Sequence, residues 1–493
     1  MLSSFILSGG IFLGRISGFV REVLLASVFG VTDQADIAVL LLTLPDLLLK
    51  ILVGGALGAA LIPSFVDQPE KAKKLFMQSS IALLVLFSLI SCLLTIFSEH
   101  LVLMLAPGFN AEKVYWACEM IGVALFLLPL SVLTGVSTAY LHAQNKFLLP
   151  SLGTLIFNGC LILGLGYMMY SSETSLYILL GSLVMAGVCR YASQLAVIGP
   201  KSITAAFFNE NLLSRDLIIR FAQAMLSGGV LLTFPVIARA FASYQGAGSM
   251  AAFNYAMRLV ELPLMLTLTF VSVVLMPRLS LAYSNDRALY RKLIVYGLQL
   301  ILTLGVGVIS VLVAGVVPYT DFVFGNSLSS QDLESLYGVV KIGLLTIIFQ
   351  GITTFMTTVC NAEKKPHRPM YVTLAGAIFY LAVLSFYPDQ LSSEVIMFCL
   401  LAAHIITAIL MVIITGLDFQ CYKLLSKRFV YYGTLGLVAL GSYKSVILLR
   451  VIFNNSTWLI IPMLAIGVLM LSVLFFVHGD TRKLFMKKVL NRV

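Results

Sequence analysis

Long runs of apolar residues, separated by short polar segments, dominate the chain from end to end. Ile81–Phe97 and Leu459–Val477 are examples in which no charged residue occurs. A helix needs about 20 apolar residues to cross a bilayer core, and runs of this length repeat along the sequence. A membrane β-barrel needs short alternating segments, which these runs exclude. The pattern predicts helices at 3–29, 34–65, 75–98, 113–142, 147–170, 175–198, 215–243, 248–282, 292–318, 333–361, 368–387, 393–417, 429–449 and 456–478. Several exceed a perpendicular span, so tilt, kinks or protruding ends must take up the excess. The expected fold class is therefore an all-α integral membrane protein of about 14 transmembrane helices.

Composition agrees. Hydrophobic residues make up 60% of the 493 and charged residues 11%, against roughly 25% charged in a soluble domain. The first apolar stretch has no basic leader and no clear cleavage site, and Arg15 and Arg21 interrupt it. It is expected to stay as the first helix rather than be removed as a signal. The seven cysteines form no C-x-x-C pair and mostly fall inside apolar runs, and the five histidines are scattered. They read as core residues, and no metal, cofactor or catalytic cluster is expected.

A net charge of +10 could suggest nucleic acid, but its distribution points elsewhere. With the N-terminus in the cytoplasm, the inner loops hold Lys71, Lys73, Lys74, Lys146, Arg287, Arg291, Lys292, Lys364, Lys365, Arg368 and others, and the tail adds Arg482, Lys483, Lys487, Lys488 and Arg492. The outer loops hold little beyond Lys113 and Arg450. This asymmetry is the positive-inside pattern and puts both termini in the cytoplasm. The basic tail is a topogenic cluster or lies on anionic headgroups.

Two matches share one offset. Ser8-Gly9-Gly10 recurs as Ser227-Gly228-Gly229, and Ala143-Gln144-Asn145-Lys146 with Pro150 recurs as Ala362-Glu363-Lys364-Lys365 with Pro369, both 219 residues on. Thr134 and Thr138 map likewise onto Thr353 and Thr357. Six helices would then repeat: a lobe over 1–200, a second over 201–425, and two extra helices with the basic tail over 426–493. An even number of helices per repeat relates the lobes by an axis along the membrane normal, with a cavity between them that rocking opens to either side.

Some charges stand where charge is expensive. An Arg or Lys at the bilayer centre costs at least about 2.5–3.5 kcal/mol on insertion scales. Arg15 and Arg21 lie in helix 1, Lys50 in helix 2 and Arg258 in helix 8, with Glu22, Asp36, Asp46 and Glu261 as thin acidic compensation. Arg220, Arg239 and Arg278 sit near helix ends, where they can snorkel. Arg190 and Lys341 are secondary candidates that local pairing or snorkelling would explain. Two accounts stay open for the main set. One is internal pairing, Arg258 with Glu261 and Arg21 with Glu22 or Asp36. The other is a cationic, water-filled cavity for an anionic substrate, for which the arginine fork suits phosphate. Gly10, Gly14 and Gly18 form a small-residue stripe on helix 1, either a packing face or a hinge. Pro45, Pro235 and Pro263 interrupt helical hydrogen bonding in the same region.

These residues also carry a resemblance. Gly14-Arg15-Ile16-Ser17-Gly18-Phe19-Val20-Arg21-Glu22 resembles the helix 1 signature of the MurJ/MviN family of lipid II flippases. Leu44-Pro45-Asp46-Leu47-Leu48 with Lys50, Gly55 and Ala56 is similar to its helix 2 motif. Ala256-Met257-Arg258-Leu259-Val260-Glu261-Leu262-Pro263, then Leu275-Met276-Pro277-Arg278-Leu279-Ser280, is similar to its helix 8 motif. The resemblance implies lipid II, an undecaprenyl-pyrophosphate carrying a disaccharide-pentapeptide, as the substrate. It implies transfer to the outer leaflet of the inner membrane through a central cationic cavity, with membrane lipids and other cell-wall synthesis proteins as partners. By position it assigns Arg15, Arg21 and Arg258 to the pyrophosphate cavity, matches Asp36 to a family aspartate, and gives helices 13 and 14 to a groove for the polyprenyl tail. There are departures: Lys50 where arginine is usual, Leu49 beside it, Gly54 for a frequent Glu and Met257 for a frequent Asp. The sodium site of some members is not expected, because helix 11 (368–387) has one acid-free, amide-free stretch from Arg368 to Tyr387. A related exporter of oligosaccharide-lipids or drugs is the alternative. An intramembrane glycosyltransferase would need an acidic or histidine cluster that the short loops lack.

Overall fold

In a computed structural model the protein is described over residues 2–48, 57–199, 212–230, 233–363, 365, 367–386, 391–416, 429–452 and 457–477. Lys50 and Gly54–Ala56 of the helix 2 motif, and the basic tail, lie outside the described residues. Among the described residues every regular element is helical. Among the described residues, nine helical stretches are long and apolar enough to cross a membrane. The chain divides into two compact units, Met1–Asn254 and Tyr255–Tyr387 with Ser392–Val493.

The first unit holds α1 (Leu2–Phe29), α2 (Asp33–Leu48), α3 (Leu57–Asp67), α4 (Ala72–Ile96), α5 (Ser98–Leu105), α6 (Ala111–Leu125), α7 (Leu127–Ala143), α8 (Leu148–Ser171), α9 (Leu176–Ile198), α10 (Arg215–Val230), α11 (Thr233–Ala242) and the start of α12 (Ser249–Leu266). Helix α7 is the core. Its residues are buried almost without a break from Leu127 to Leu141, and α3, α4 and α9 surround it. Lipid is as apolar as leucine, so packing here depends on close contact rather than on hydrophobic drive. The stripe Gly10, Gly14 and Gly18 provides that contact by lying on Ser151, Thr154 and Asn158 of α8. A Cβ at Gly10 would stand 2.4 Å from the Ser151 hydroxyl.

At one end of this unit the loops press backbone on backbone. Gly248, at φ +74°, lies so close to Val31 that a Cβ would stand 2.4 Å from its carbonyl carbon. Gly108 leaves no more room beside Tyr244, and its N–H donates to Ser243 Oγ at 2.9 Å. The loops after α1, α5 and α11 are thereby closed onto one another.

The second unit continues α12 and adds α13 (Leu268–Asn285), α14 (Arg287–Ala314), α15 (Val316–Phe324), α16 (Ser330–Ala362), α17 (His367–Ser385), α18 (Ser393–Ile414), α19 (Phe429–Ile452) and α20 (Ile460–Val477). Helix α16 is central, packed by α13, α14 and α18. The last two helices lie on α14, where Val311, Ala314, Val446, Leu459 and Met463 form a small core. The 219-residue offset reappears in the boundaries. Ala111 and Ser330 begin, and Ala143 and Ala362 end, the stretches that form the two central helices.

Among the described residues, three predicted helices are broken. Helix 4 is α6 and α7, parted at Phe126; helix 8 is α12 and α13, parted at Thr267; helix 9 ends at Ala314 and α15 follows. The break in helix 8 follows from Pro263. A proline has no N–H to give to the carbonyl four residues back, here Leu259. That carbonyl instead accepts the Tyr319 hydroxyl at 2.9 Å. Tyr319→Phe is expected to leave a buried carbonyl unsatisfied and lower stability by about 1–3 kcal/mol. Thermal unfolding in detergent checks this; an unchanged midpoint would mean the bond does not support the bend.

Candidate functional site

Helix α1 carries Arg15 and Arg21 about 9 Å apart along its axis, at 1.5 Å per residue. Their surroundings differ sharply. Arg15 is exposed on the helix surface. Arg21 is 3% exposed and caged. Its Nη2 donates to Glu22 Oε1 at 2.6 Å and to Asp46 Oδ2 at 3.0 Å, while Nη1 donates to Asp46 Oδ1 and to Asn158 Oδ1, each at 3.2 Å. Asp46 follows Pro45 inside α2, so the proline-bearing segment of α2 delivers the bidentate partner.

The cage extends in two directions. Asn158 Nδ2 donates to the Gly14 carbonyl and to Ser17 Oγ, both at 3.1 Å. Gly18 leaves the space in which Asn158 sits: a Cβ there would stand 3.3 Å from Nδ2. On the other side Glu22 Oε2 accepts from Asn254 Nδ2 at 2.9 Å, and Asn254 Oδ1 accepts from Arg239 Nη1 at 3.0 Å. One continuous hydrogen-bonded chain thus joins α8, α2, α1, α12 and α11. Every link lies in the first unit. Its charges, two arginines against two carboxylates, are satisfied in the way that buried charge requires.

Asp36 belongs to a second cluster, at the closed end. It is fully buried. Oδ2 accepts from Lys113 Nζ at 2.8 Å and from the Gly248 N–H at 2.9 Å, and Oδ1 accepts from the Ala251 N–H at 2.9 Å. Lys113 also pairs with Asp33. The first turn of α12 has N–H groups without helical partners and a positive dipole end. Asp36 caps it from another helix.

Four residues beyond Asn254, and so on the same face of α12, stands Arg258. Its Nη1 meets Glu261 Oε2 at 3.0 Å, with both side chains partly exposed. Pro263 follows at the bend. Lys50 cannot be placed among these groups, since it falls outside the described residues. Among the described residues no cluster of three or more His, Cys, Asp or Glu side chains could hold a metal ion.

The structure therefore brings Arg21, Glu22 and Asp46 together, sets Asp36 apart with Lys113, and pairs Arg258 with Glu261. The pairing of Arg21 with Asp36 is not found; Asp46 takes that place. Arg239, expected to snorkel, turns inward to Asn254. Asn158, Asn254 and Lys113 are site members that the charge inventory passed over. The signal for Asn158 was present: it is an amide within the apolar run of predicted helix 5. Lys113 looked like an ordinary outer-loop cation.

Known proteins share the fold and the sequence family. The solved structure of a lipid II flippase MurJ in an inward closed conformation superposes with a TM-score of 0.82, covering 97% of this chain and 99% of that one at 19% identity. An inward-facing multidrug resistance MATE family transporter of the MOP superfamily gives 0.69 over 84% of this chain and 96% of its own, at 13% identity. In sequence, the probable lipid II flippase MurJ of Rickettsia prowazekii is 28% identical over 397 residues, 76% of each chain. That of Buchnera aphidicola subsp. Acyrthosiphon pisum is 27% identical over 377 residues, 73% of this chain and 74% of its own. The sequence model of the lipid II flippase MurJ family matches residues 25–469. On that match, which spans both compact units and includes the caged helices α2 and α8 as well as α12, the chain belongs to the lipid II flippase MurJ family.

Proposed function

We propose that this protein moves lipid II from the cytoplasmic to the periplasmic leaflet of the bacterial inner membrane by alternating access. The family match over residues 25–469 carries the proposal. The site supplies the chemistry. Arg15 on α1 is exposed and Arg258 on α12 partly exposed, in a chain of 11% charged residues. Such groups need an anion or water as partner within a membrane. A pyrophosphate offers oxygens at the spacing that the arginine fork fits. Lys50 adds charge without the fork. Nothing in this scheme makes or breaks a covalent bond, so the protein is a transporter and not an enzyme.

The two repeats are proposed to form pseudo-symmetric lobes over 1–200 and 201–425, with the helices of 426–493 outside them and fourteen spans in all. Alternating access would break and remake the hold of Asp36 on the first turn of α12. Helices α19 and α20, seated on α14, are proposed to guide the polyprenyl tail. The closest competing function is export of another lipid-linked glycan or a drug, favoured by the likeness to the MATE transporter. A cationic drug would find the wrong charge at Arg15 and Arg258.

Complementation tests the proposal. The chain, expressed in a bacterium depleted of its resident lipid II flippase, is expected to restore growth and cell-wall synthesis. Failure with normal membrane accumulation would favour the other exporters. Orientation is checked separately: cysteines placed at Gly246 and Ser329 should react with a periplasmic thiol reagent, and those at Lys73 and Lys365 should not. Labelling at Lys365 from outside would overturn both the cytoplasmic termini and the helix count.

A further inference from the structure

Helices α17 and α18 turn apolar side chains outward, as contact with hydrocarbon demands: Ile378 and Leu381 on the first, Ile409, Leu410, Ile413 and Ile414 on the second. Helix α16 does not. In the half that ends at Ala362, Thr354 and Asn361 are exposed, and Gln350, Thr357 and Thr358 are partly exposed. Spacings of four, three and four residues put Gln350, Thr354, Thr357 and Asn361 on one face. Amides and hydroxyls are costly against lipid tails, so this face meets water or a polar ligand.

The same face is sealed earlier in α16. Gly343, two turns before Gln350, lies under α12 and α18; a Cβ there would stand 2.6 Å from Val260 Cγ2 and 3.2 Å from Met397 Sδ. Past the break at Thr267 the chain lies elsewhere on α16. Leu268 packs on Gly351, where a Cβ would stand 2.7 Å from its Cδ1. That position is about 100° round the helix from Gln350. In the first unit Ser131, Gly135 and Thr138, which stand 219 positions before Gln350, Thr354 and Thr357, are buried in α7.

The hydrogen bonds narrow the ligand. Thr354 and Thr357 each donate their hydroxyl proton to the carbonyl four residues back at 2.8 Å, and Thr358 does so at 3.0 Å. A hydroxyl has one proton, so what each threonine has left to offer is lone pairs. Gln350 Nε2 donates to Thr346 Oγ1 at 2.8 Å. The stripe is therefore uncharged and rich in acceptors. A phosphate, itself an acceptor, gains nothing from the threonines. A glycan brings many O–H donors and suits them.

We propose that this face of α16 binds the sugar portion of the lipid-linked headgroup. The acceptor oxygens of Thr354, Thr357 and Thr358 take its hydroxyl protons, and the amides of Gln350 and Asn361 supply both donors and acceptors. The arginines hold the pyrophosphate, and α16 holds the glycan attached to it. The inference rests on the lipid-pyrophosphate substrate proposed above.

The test uses purified full-length protein in nanodiscs and three probes: undecaprenyl pyrophosphate, the same lipid bearing a disaccharide, and the same lipid bearing a disaccharide-pentapeptide. The wild-type protein is expected to bind the disaccharide lipid about tenfold more tightly than the bare one, the scale of one or two net hydrogen bonds. The pair Thr354→Val and Thr358→Val keeps side-chain shape and removes two acceptors. It should lose most of that gain, with binding of the bare lipid and the thermal midpoint unchanged. The pair Thr354→Ser and Thr358→Ser keeps the acceptors and should bind like the wild type. Asn361→Ala should show the same selective loss as the valine pair, and it decides alone if that pair does not accumulate. Equal wild-type affinity for bare and disaccharide lipids overturns the proposal. So does a gain that appears only with the pentapeptide, or one that the valine pair and Asn361→Ala both leave intact. Wild-type protein that binds none of the three probes would instead overturn the substrate reading, and the function proposed above with it.

Discussion

Arg21→Ala is expected to cost the protein its fold before it costs transport. The substitution leaves Glu22 and Asp46 facing each other inside the helix bundle, with the Asn158 carbonyl oxygen also bereft of a donor. Breaking a buried ion pair by removing one partner costs about 3–5 kcal/mol, a large share of the 5–15 kcal/mol that holds a typical domain. Membrane accumulation and the thermal midpoint in detergent should both fall. Arg21→Lys should recover only part, since an ammonium cannot reproduce four directed bonds from two Nη atoms. The triple change Arg21→Met, Glu22→Gln and Asp46→Asn should restore accumulation, because the three charges of the cage are then removed together, yet it should not restore growth. Wild-type accumulation of Arg21→Ala would show that the cage bears no structural load.

That cage marks where sequence pattern reached its limit. The helical, membrane-spanning character of the chain follows from hydropathy because it is a local sum. The 219-residue offset of the sequence also separates Ala143 and Ala362, which end the two central helices. Glu22 was legible as one partner of Arg21, but Asp46 was not legible as the other. Helices α1 and α2 run antiparallel through a short turn, so depth is the available guide. Arg21 lies about 12 Å before the end of α1, while Asp36 and Asp46 lie about 5 and 20 Å into α2 at 1.5 Å per residue. The two differences are nearly equal, and only the rotation of each helix decides. Rotation is set by the glycine stripe against α8, which brings Asn158 and not Asp36 to Arg21. The splits at Phe126 and Thr267 were hidden for a related reason: apolar residues on both sides of a break read as one run.

Arg258→Ala should abolish complementation while the protein still inserts and accumulates, and adding Glu261→Ala should fail to rescue it. The structure sharpens this expectation. Arg258 and Glu261 do form an ion pair, at 3.0 Å and three residues apart on α12. Internal pairing is therefore real. The question is whether it is the purpose of the arginine. A partly exposed pair at this spacing contributes about 0.2–0.5 kcal/mol, too little for its loss to remove the protein from the membrane. A complete loss of growth must then come from what Arg258 binds in the working cycle. If pairing were its purpose, the double change would leave no charge unpaired and growth would return. Arg15, exposed on α1, provides a second test. Arg15→Ala should likewise abolish growth with normal accumulation, and Arg15→Lys should be partly active, keeping the charge but losing the bidentate grip on phosphate. Full rescue by the Arg258→Ala, Glu261→Ala double change would remove Arg258 from the substrate path, and with it the claim that α12 carries a phosphate-binding face.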